Sequence, residues 1–208
     1  MFPCPNGKVP YSERSCFEDG QEFPDLGWVE EQMKNKRIDF MGEVLTQYYG
    51  ISPSSEVMYP YYALAEKYQI PVGIHSSLAG PNNGSPNFKV SLGSPVHLEG
   101  LLQKFPNLKI WIMHAGIPFQ EDSIAIMTYY RNVYADISAI ANPKILPPAA
   151  FAAIMKIFIN SGLEDRLMFG SDNADVNELV QNINDLDFLS EVQKEKIFYK
   201  NAETFFGQ

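Results

Sequence analysis

Cysteine and histidine, the side chains on which most metal and redox sites depend, are scarce in this chain. Its 208 residues include two cysteines, Cys4 and Cys16, and three histidines. The cysteines have no neighbouring histidines and therefore do not predict a zinc finger. They lie close together in sequence and would pair if the chain is exported, so the sequence leaves their redox state open.

Positive charge and long apolar runs are also lacking. The chain has 16 Lys and Arg residues against 25 Asp and Glu, a net charge of −9. No basic cluster offers a footprint for phosphates, which argues against nucleic acid and anionic membrane surfaces as partners. No apolar run is long enough to cross a bilayer. The first residues do not resemble a signal peptide, so the compartment stays open, with the cytoplasm as the default.

What remains is the composition of a soluble globular protein, with 45% hydrophobic and 20% charged residues. The length allows one large domain or two small ones. We find neither an internal repeat nor a linker, and therefore predict a single domain over residues 1–208. Residues 1–24 are rich in Pro, Gly, Ser and charge, and predict a long loop.

Apolar runs and helical stripes alternate along the rest of the chain. Strands are predicted over residues 37–44, 70–75, 108–116, 132–138 and 167–172. Helices are predicted over residues 25–36, 57–68, 94–105, 120–130, 151–158 and 176–183, with a last one from the capping-box pattern of Ser190 and Gln193. This alternation is typical of a parallel α/β sheet.

Four acidic or imidazole side chains stand at the carboxyl ends of predicted strands: Glu43, His75, His114 and Asp172. In a parallel barrel these strand ends meet at one mouth. Two imidazoles and two carboxylates form a ligand set that suits a divalent transition metal such as zinc. A metal there would lower the pKa of a bound water, and an unligated carboxylate or imidazole would move its proton.

Several motifs carry a family resemblance. They are residues 70–75, residues 105–108 leading into His114-Ala115-Gly116, residues 165–172 and residues 201–207. From about residue 25 onwards the chain resembles the amidohydrolase-related branch of the metal-dependent amidohydrolase superfamily. The resemblance implies a (β/α)₈ TIM-barrel fold. The motifs match strands four to eight, so we expect an N-terminally incomplete barrel with about five parallel strands.

The resemblance also implies roles for the four side chains. His75 matches a metal ligand that ends the fifth strand, and His114 a second-metal ligand or catalytic acid/base on the sixth. Asp172 matches an aspartate that binds metal and takes the proton of the attacking water. Glu43 matches a carboxylate that bridges two metals. The implied function is metal-dependent hydrolysis of a small amide, lactone or ester, with one or two divalent ions, zinc being the expected metal.

One departure from the family pattern concerns its first strand, which ends in His-x-His. This sequence has no such motif, and its third histidine, His97, is predicted on a helix. We therefore expect a fragment of a longer gene product or a natural remnant. Its site would resemble the second-metal position, held by Glu43, His75 and His114 with Asp172 at the edge, and metal occupancy would be low. The alternatives are a catalytically incomplete binding scaffold and a decarboxylase, and an open sheet edge would favour homo-oligomers.

Two further residues are interpreted as structural. Asp136 lies near the end of the fourth predicted strand, where an aspartate more often caps the next segment than touches a substrate. Arg166 stands beside Glu164 and Asp165 and predicts a structural ion pair.

Overall fold

Five short strands form one sheet in this computed structural model, which describes residues 4, 8, 23–80 and 84–207. The strands are β1 (Met41–Val44), β2 (Val72–His75), β3 (Ile110–Met113), β4 (Val133–Asp136) and β5 (Leu167–Met168). They lie side by side in chain order, and each neighbouring pair is parallel. The predicted α/β class with five parallel strands is confirmed.

Helices alternate with the strands, as the periodicity predicts. They are α1 (Leu26–Lys34), α2 (Tyr59–Tyr68), α3 (Glu99–Lys104), α4 (Gln120–Tyr129), α5 (Pro148–Asn160), α6 (Val176–Asn184), α7 (Glu191–Glu195) and α8 (Asn201–Phe206), the last preceded by a π-helical turn over Lys196–Lys200. The predicted capping box of Ser190 and Gln193 begins α7. Among the described helices, none combines the length and apolarity needed to span a membrane.

The two faces of the sheet differ in what covers them. Successive strand side chains point to opposite faces. One set joins the main hydrophobic core with the helices and includes Val72, Ile74, Ile110, Ile112, Val133, Ala135 and Leu167. The other set, which we call the inner face, includes Glu43, Gly73, His75, Trp111, Met113, Tyr134, Asp136 and Met168. The inner face thus carries the polar residues of the strands together with a smaller aromatic cluster.

That aromatic cluster is formed where α8 packs onto the inner face. The rings of Phe205 and Phe206 lie 5.9 and 5.6 Å from the ring of Trp111, centre to centre. The indole in turn lies directly on β2, where a Cβ atom on Gly73 would come within 2.2 Å of Trp111 Cζ2. Glycine is required at this position because the indole occupies the space of a side chain.

The strands are shorter than predicted, and the C-terminal end that differs most from its predicted position is that of β5. The predicted strand runs to Asp172, but β5 ends at Met168, and the chain after it turns through positive φ angles at Asp172 and Asn173. The predicted loop over residues 1–24 lies almost entirely outside the described residues. Cys4 is described, and it is buried and disulfide-bonded, whereas Cys16 lies outside the described residues.

Arg166 is structural, but the predicted partners are wrong. Its Nη1 donates to the carbonyl oxygens of Met127, Tyr130 and Val133 rather than to Glu164 or Asp165. The Asp165 carboxylate instead pairs with Lys196. The carbonyls at the end of α4 have no partner within the helix, so a buried guanidinium satisfies them and complements the helix dipole. Arg166 thereby joins the start of β5 to the connection between α4 and β4.

Candidate metal centre

Three of the four predicted site residues converge at the carboxyl end of the sheet. Glu43 lies in β1, His75 ends β2 and His114 follows β3, and these three strands are neighbours. One ligand atom from each lies within 4.8 Å of the others. Glu43 Oε1 is 3.8 Å from His75 Nε2 and 3.5 Å from His114 Nε2. Parallel pairing of adjacent strands is what brings residues 71 positions apart in sequence together here.

His75 is held in the neutral form. Burial, with a smaller contribution from the charge of His114, lowers the pKa of His75 to about 3. The ring of Tyr48 packs edge-on against it at 5.3 Å, and the ring of His114 lies at 4.9 Å. Its Nδ1 atom is buried without a hydrogen-bond partner among the described residues. A neutral imidazole is the form that binds metals.

The pKa of His114 is shifted in the opposite direction from that of His75. Burial acts to lower the pKa of His114, but the carboxylates of Glu43, Asp136 and Asp172 outweigh it and raise the pKa. The contact of its Nδ1 atom with Ser138 Oγ, at 2.9 Å, fixes the orientation of the ring. In the absence of a cation, an imidazolium at this position pairs with Glu43.

Asp172 lies apart from the three clustered side chains but lines the same cavity. The charge of Asp172 contributes to raising the pKa of His114. Its backbone φ is 44°, and His114, Ala139 and Asn173 also have positive φ angles. Such conformations are costly for residues other than glycine and concentrate at functional sites.

The cavity around these residues has a volume of about 760 Å³. Its polar end is formed by Glu43, His75, His114 and Asp172. The rest of the wall is largely apolar and comes from the loops after the first four strands, with Leu45, Leu78, Ile117, Ile140, Ile145 and Leu146. The site is therefore a polar group of potential ligands beside an apolar chamber.

Asp136 caps the segment after β4, as predicted. It also binds the backbone of His114, a contact that the sequence does not reveal. Its Oδ1 accepts the backbone N–H of Ser138 at 3.0 Å, which is the cap. The same oxygen accepts the backbone N–H of His114 at 3.0 Å and the hydroxyl of Ser138. Ser138 was not recognised from sequence, because its role depends on contacts between neighbouring strands.

The donor set fits a divalent transition metal. Two imidazoles and a carboxylate supply the three protein ligands that catalytic zinc sites commonly have, and manganese accepts the same donors. The distances from Glu43 Oε1 to the Nε2 atoms of both imidazoles agree with this assignment.

The model of a family described as amidohydrolase matches residues 35–208. The chain belongs to the amidohydrolase family. The match includes all five strands and the four predicted site residues. No curated protein sequence matches this family member significantly.

Solved structures similar to this amidohydrolase family member include TIM-barrel proteins. An uncharacterized TIM-barrel protein from Bordetella bronchiseptica has a TM-score of 0.66 and 23% identity. The match covers 86% of this chain and 61% of the Bordetella protein. A 5-carboxyvanillate decarboxylase from Sphingomonas paucimobilis has a TM-score of 0.62 and 17% identity, and the match covers 88% of this chain and 62% of the decarboxylase. A dihydroxybenzoic acid decarboxylase from a Polaromonas species, with bound manganese and 2-nitroresorcinol, has a TM-score of 0.54 and 16% identity, over 76% and 55%.

These likenesses confirm the fold class. At identities below 25% they concern the fold alone, and the Bordetella structure is a TIM-barrel protein. The chain spans 61% and 62% of the first two structures, so its five strands correspond to part of a barrel.

Proposed function

We propose that this amidohydrolase family member is a metal-dependent hydrolase of amides, lactones or esters. Glu43, His75 and His114 would hold the cation. The observation that carries this proposal is the convergence of their ligand atoms within 4.8 Å of one another. A divalent metal bound there would polarise the substrate carbonyl and lower the pKa of water. Zinc is the metal we propose, and manganese is the comparison metal.

The other polar residues of the cavity would handle protons. Asp172, whose carboxyl group lines the same cavity as the three ligands, would accept the proton of the attacking water. His114 has its Nδ1 atom engaged by Ser138, which leaves Nε2 facing Glu43 and the cavity. The cavity thus offers separate groups for holding a cation and for moving a proton.

The apolar chamber supports a substrate with an apolar body. Leu45 and Ile140 form buried parts of the wall, and Ile145 and Leu78 extend it towards solvent. No lysine or arginine is present among the described residues that line the cavity. A neutral ester or lactone with an alkyl or aryl group fits this lining better than a polycarboxylate does.

Decarboxylation is the second candidate, because two of the structural neighbours are decarboxylases. Their substrates are carboxylates, which in this cavity would face Glu43 and Asp172 without a cationic side chain among the described lining residues. A binding scaffold without activity is the third candidate.

The test is hydrolysis of neutral esters and lactones by the full chain, with zinc or manganese added in excess. We expect turnover that depends on added metal and is lost in a chelator. Asp172→Asn should lower turnover while leaving metal affinity nearly unchanged, because Asp172 is outside the ligand cluster. His97→Gln, a change outside the cavity, should behave as the wild type.

Three outcomes would contradict the hydrolase. Turnover insensitive to the chelator and to Glu43→Gln would exclude a role for the metal. Release of carbon dioxide from dihydroxybenzoate, without ester or lactone hydrolysis, would favour the decarboxylase. Metal binding without either reaction would favour the scaffold.

A further inference from the structure

Behind His114 lies a chain of hydrogen bonds that the proposed hydrolysis does not itself require. His114 Nδ1 lies 2.9 Å from Ser138 Oγ, and Ser138 Oγ donates to Asp136 Oδ1. Asp136 Oδ1 also accepts the backbone N–H groups of His114 and Ser138, each at 3.0 Å. All three side chains are buried. We call this arrangement the Asp136–Ser138–His114 relay.

Counting protons determines the direction of each hydrogen bond in the relay. An ionised carboxylate only accepts hydrogen bonds, and a serine hydroxyl has a single proton to donate. That proton goes to Asp136, so Ser138 Oγ has only lone pairs left for His114. The contact between Ser138 Oγ and His114 Nδ1 therefore needs a proton on Nδ1. When His114 is neutral, its lone pair is then on Nε2, which faces Glu43 Oε1 at 3.5 Å.

We propose that Ser138 and Asp136 are positioning residues that fix His114 in the Nδ1–H tautomer and present Nε2 to the metal. The use of Nε2 rests on the proposed metal site, whereas the tautomer follows from the relay alone. Histidine ligands are commonly oriented in this way by a hydrogen bond to their other ring nitrogen. His75 has no such partner on Nδ1 among the described residues, so the two imidazoles are held differently.

Gly170, just after β5, leaves the space in which the relay sits. A Cβ atom on Gly170 would lie 2.9 Å from Ser138 Cβ and 3.4 Å from Asp136 Cγ. At an approach below 3.0 Å, one of the two groups must shift. Gly170→Ala therefore moves the relay without removing any of its hydrogen-bonding atoms. This substitution disturbs the relay independently of changes to Ser138 itself.

The direct test is two-bond ¹H–¹⁵N NMR of the histidine rings in the metal-free full chain, at a pH where His114 is neutral. The chain has only three histidines, and His97→Gln and His75→Gln assign the signals. We expect the Nδ1–H pattern for His114 in the wild type. Ser138→Ala should lose this pattern, and Ser138→Thr, which restores a hydroxyl, should recover it.

Metal affinity is the second measurement. Loss of an orienting partner typically weakens metal binding about 10- to 100-fold. We expect this weakening in Ser138→Ala and Gly170→Ala, with recovery in Ser138→Thr. Ser123→Ala is the matched control, since it removes a buried hydroxyl that bonds to the carbonyl of Ala115 and does not contact the imidazole. It should leave both the tautomer and the affinity unchanged.

Each result decides the inference. A wild-type His114 in the Nε2–H form would overturn it without any variant, even if a substitution prevents folding. An unchanged tautomer and affinity in Ser138→Ala would overturn it as well. A wild type with the Nδ1–H form that binds no metal would contradict the proposed function while upholding the relay.

Discussion

Replacing His75 by alanine should weaken zinc binding about 60- to 700-fold. Zinc sites with four protein ligands bind with about 10–16 kcal/mol, so one ligand carries roughly 2.5–4 kcal/mol. Each 1.4 kcal/mol corresponds to about a tenfold change in affinity. The expected loss is large because the pKa of His75, near 3, keeps the imidazole neutral and ready to bind metal without losing a proton. Titration calorimetry of the full chain with zinc and with manganese measures the effect.

The control for His75→Ala is His97→Ala. His97 is half-buried in the 3₁₀ turn Pro95–Leu98 and is not part of the ligand cluster. Thermal unfolding of both variants separates loss of a ligand from loss of structure, since removing a buried ring leaves a cavity. A folded His75→Ala variant that binds zinc as tightly as the wild type would show that His75 is not a ligand.

The sequence predicted the positions of β2 and β3 because each carries an apolar run with side chains buried on the side of the helices. Val72, Ile74, Ile110 and Ile112 are all nearly inaccessible, and they supply that signal. Strand ends were predicted less well. In β5 the run Leu167-Met168-Phe169 continues the apolar pattern, but pairing stops at Met168, and no periodicity reports the backbone angles of Asp172.

Part of the candidate site was also accessible from sequence. Glu43, His75 and His114 could be named because chemistry-bearing residues at the ends of parallel strands share one edge of the sheet. Asp172 lies on the wall of the same cavity, and its predicted place at the edge of a metal site stays a prediction. Metal binding by these residues stays a prediction that the experiments above test.

What sequence reasoning missed depends on contacts between strands. Asp136 looks like an ordinary cap, and nothing in the pattern indicates that the same oxygen also binds the backbone of His114. Ser138 is two residues further along, and its contact with His114 exists only because β3 and β4 are neighbours. The apolar chamber is assembled from four separate loops, so no single stretch of sequence describes it.

The second large effect concerns stability. Arg166→Met should lower the free energy of unfolding by about 3–5 kcal/mol, because leaving buried carbonyls without a donor costs about 1–3 kcal/mol each. The carbonyls of Met127 and Val133 lose the guanidinium and methionine offers no replacement, whereas the carbonyl of Tyr130 keeps the backbone N–H of Val133 as a donor. The loss is a substantial part of a typical total of about 5–15 kcal/mol. Denaturant unfolding, with equal slopes in both proteins, measures it.

Two further variants distinguish hydrogen bonding from charge. Arg166→Lys keeps the positive charge but not the planar guanidinium, and should recover only part of the lost stability. Arg131→Met removes an exposed arginine that follows the same helix end and should change stability by less than about 0.5 kcal/mol, as exposed positions usually do. A similar loss in Arg131→Met and Arg166→Met would mean that overall charge matters and the three carbonyls do not. Recovery of full stability in Arg166→Lys would likewise show that a positive charge near the end of α4 is sufficient.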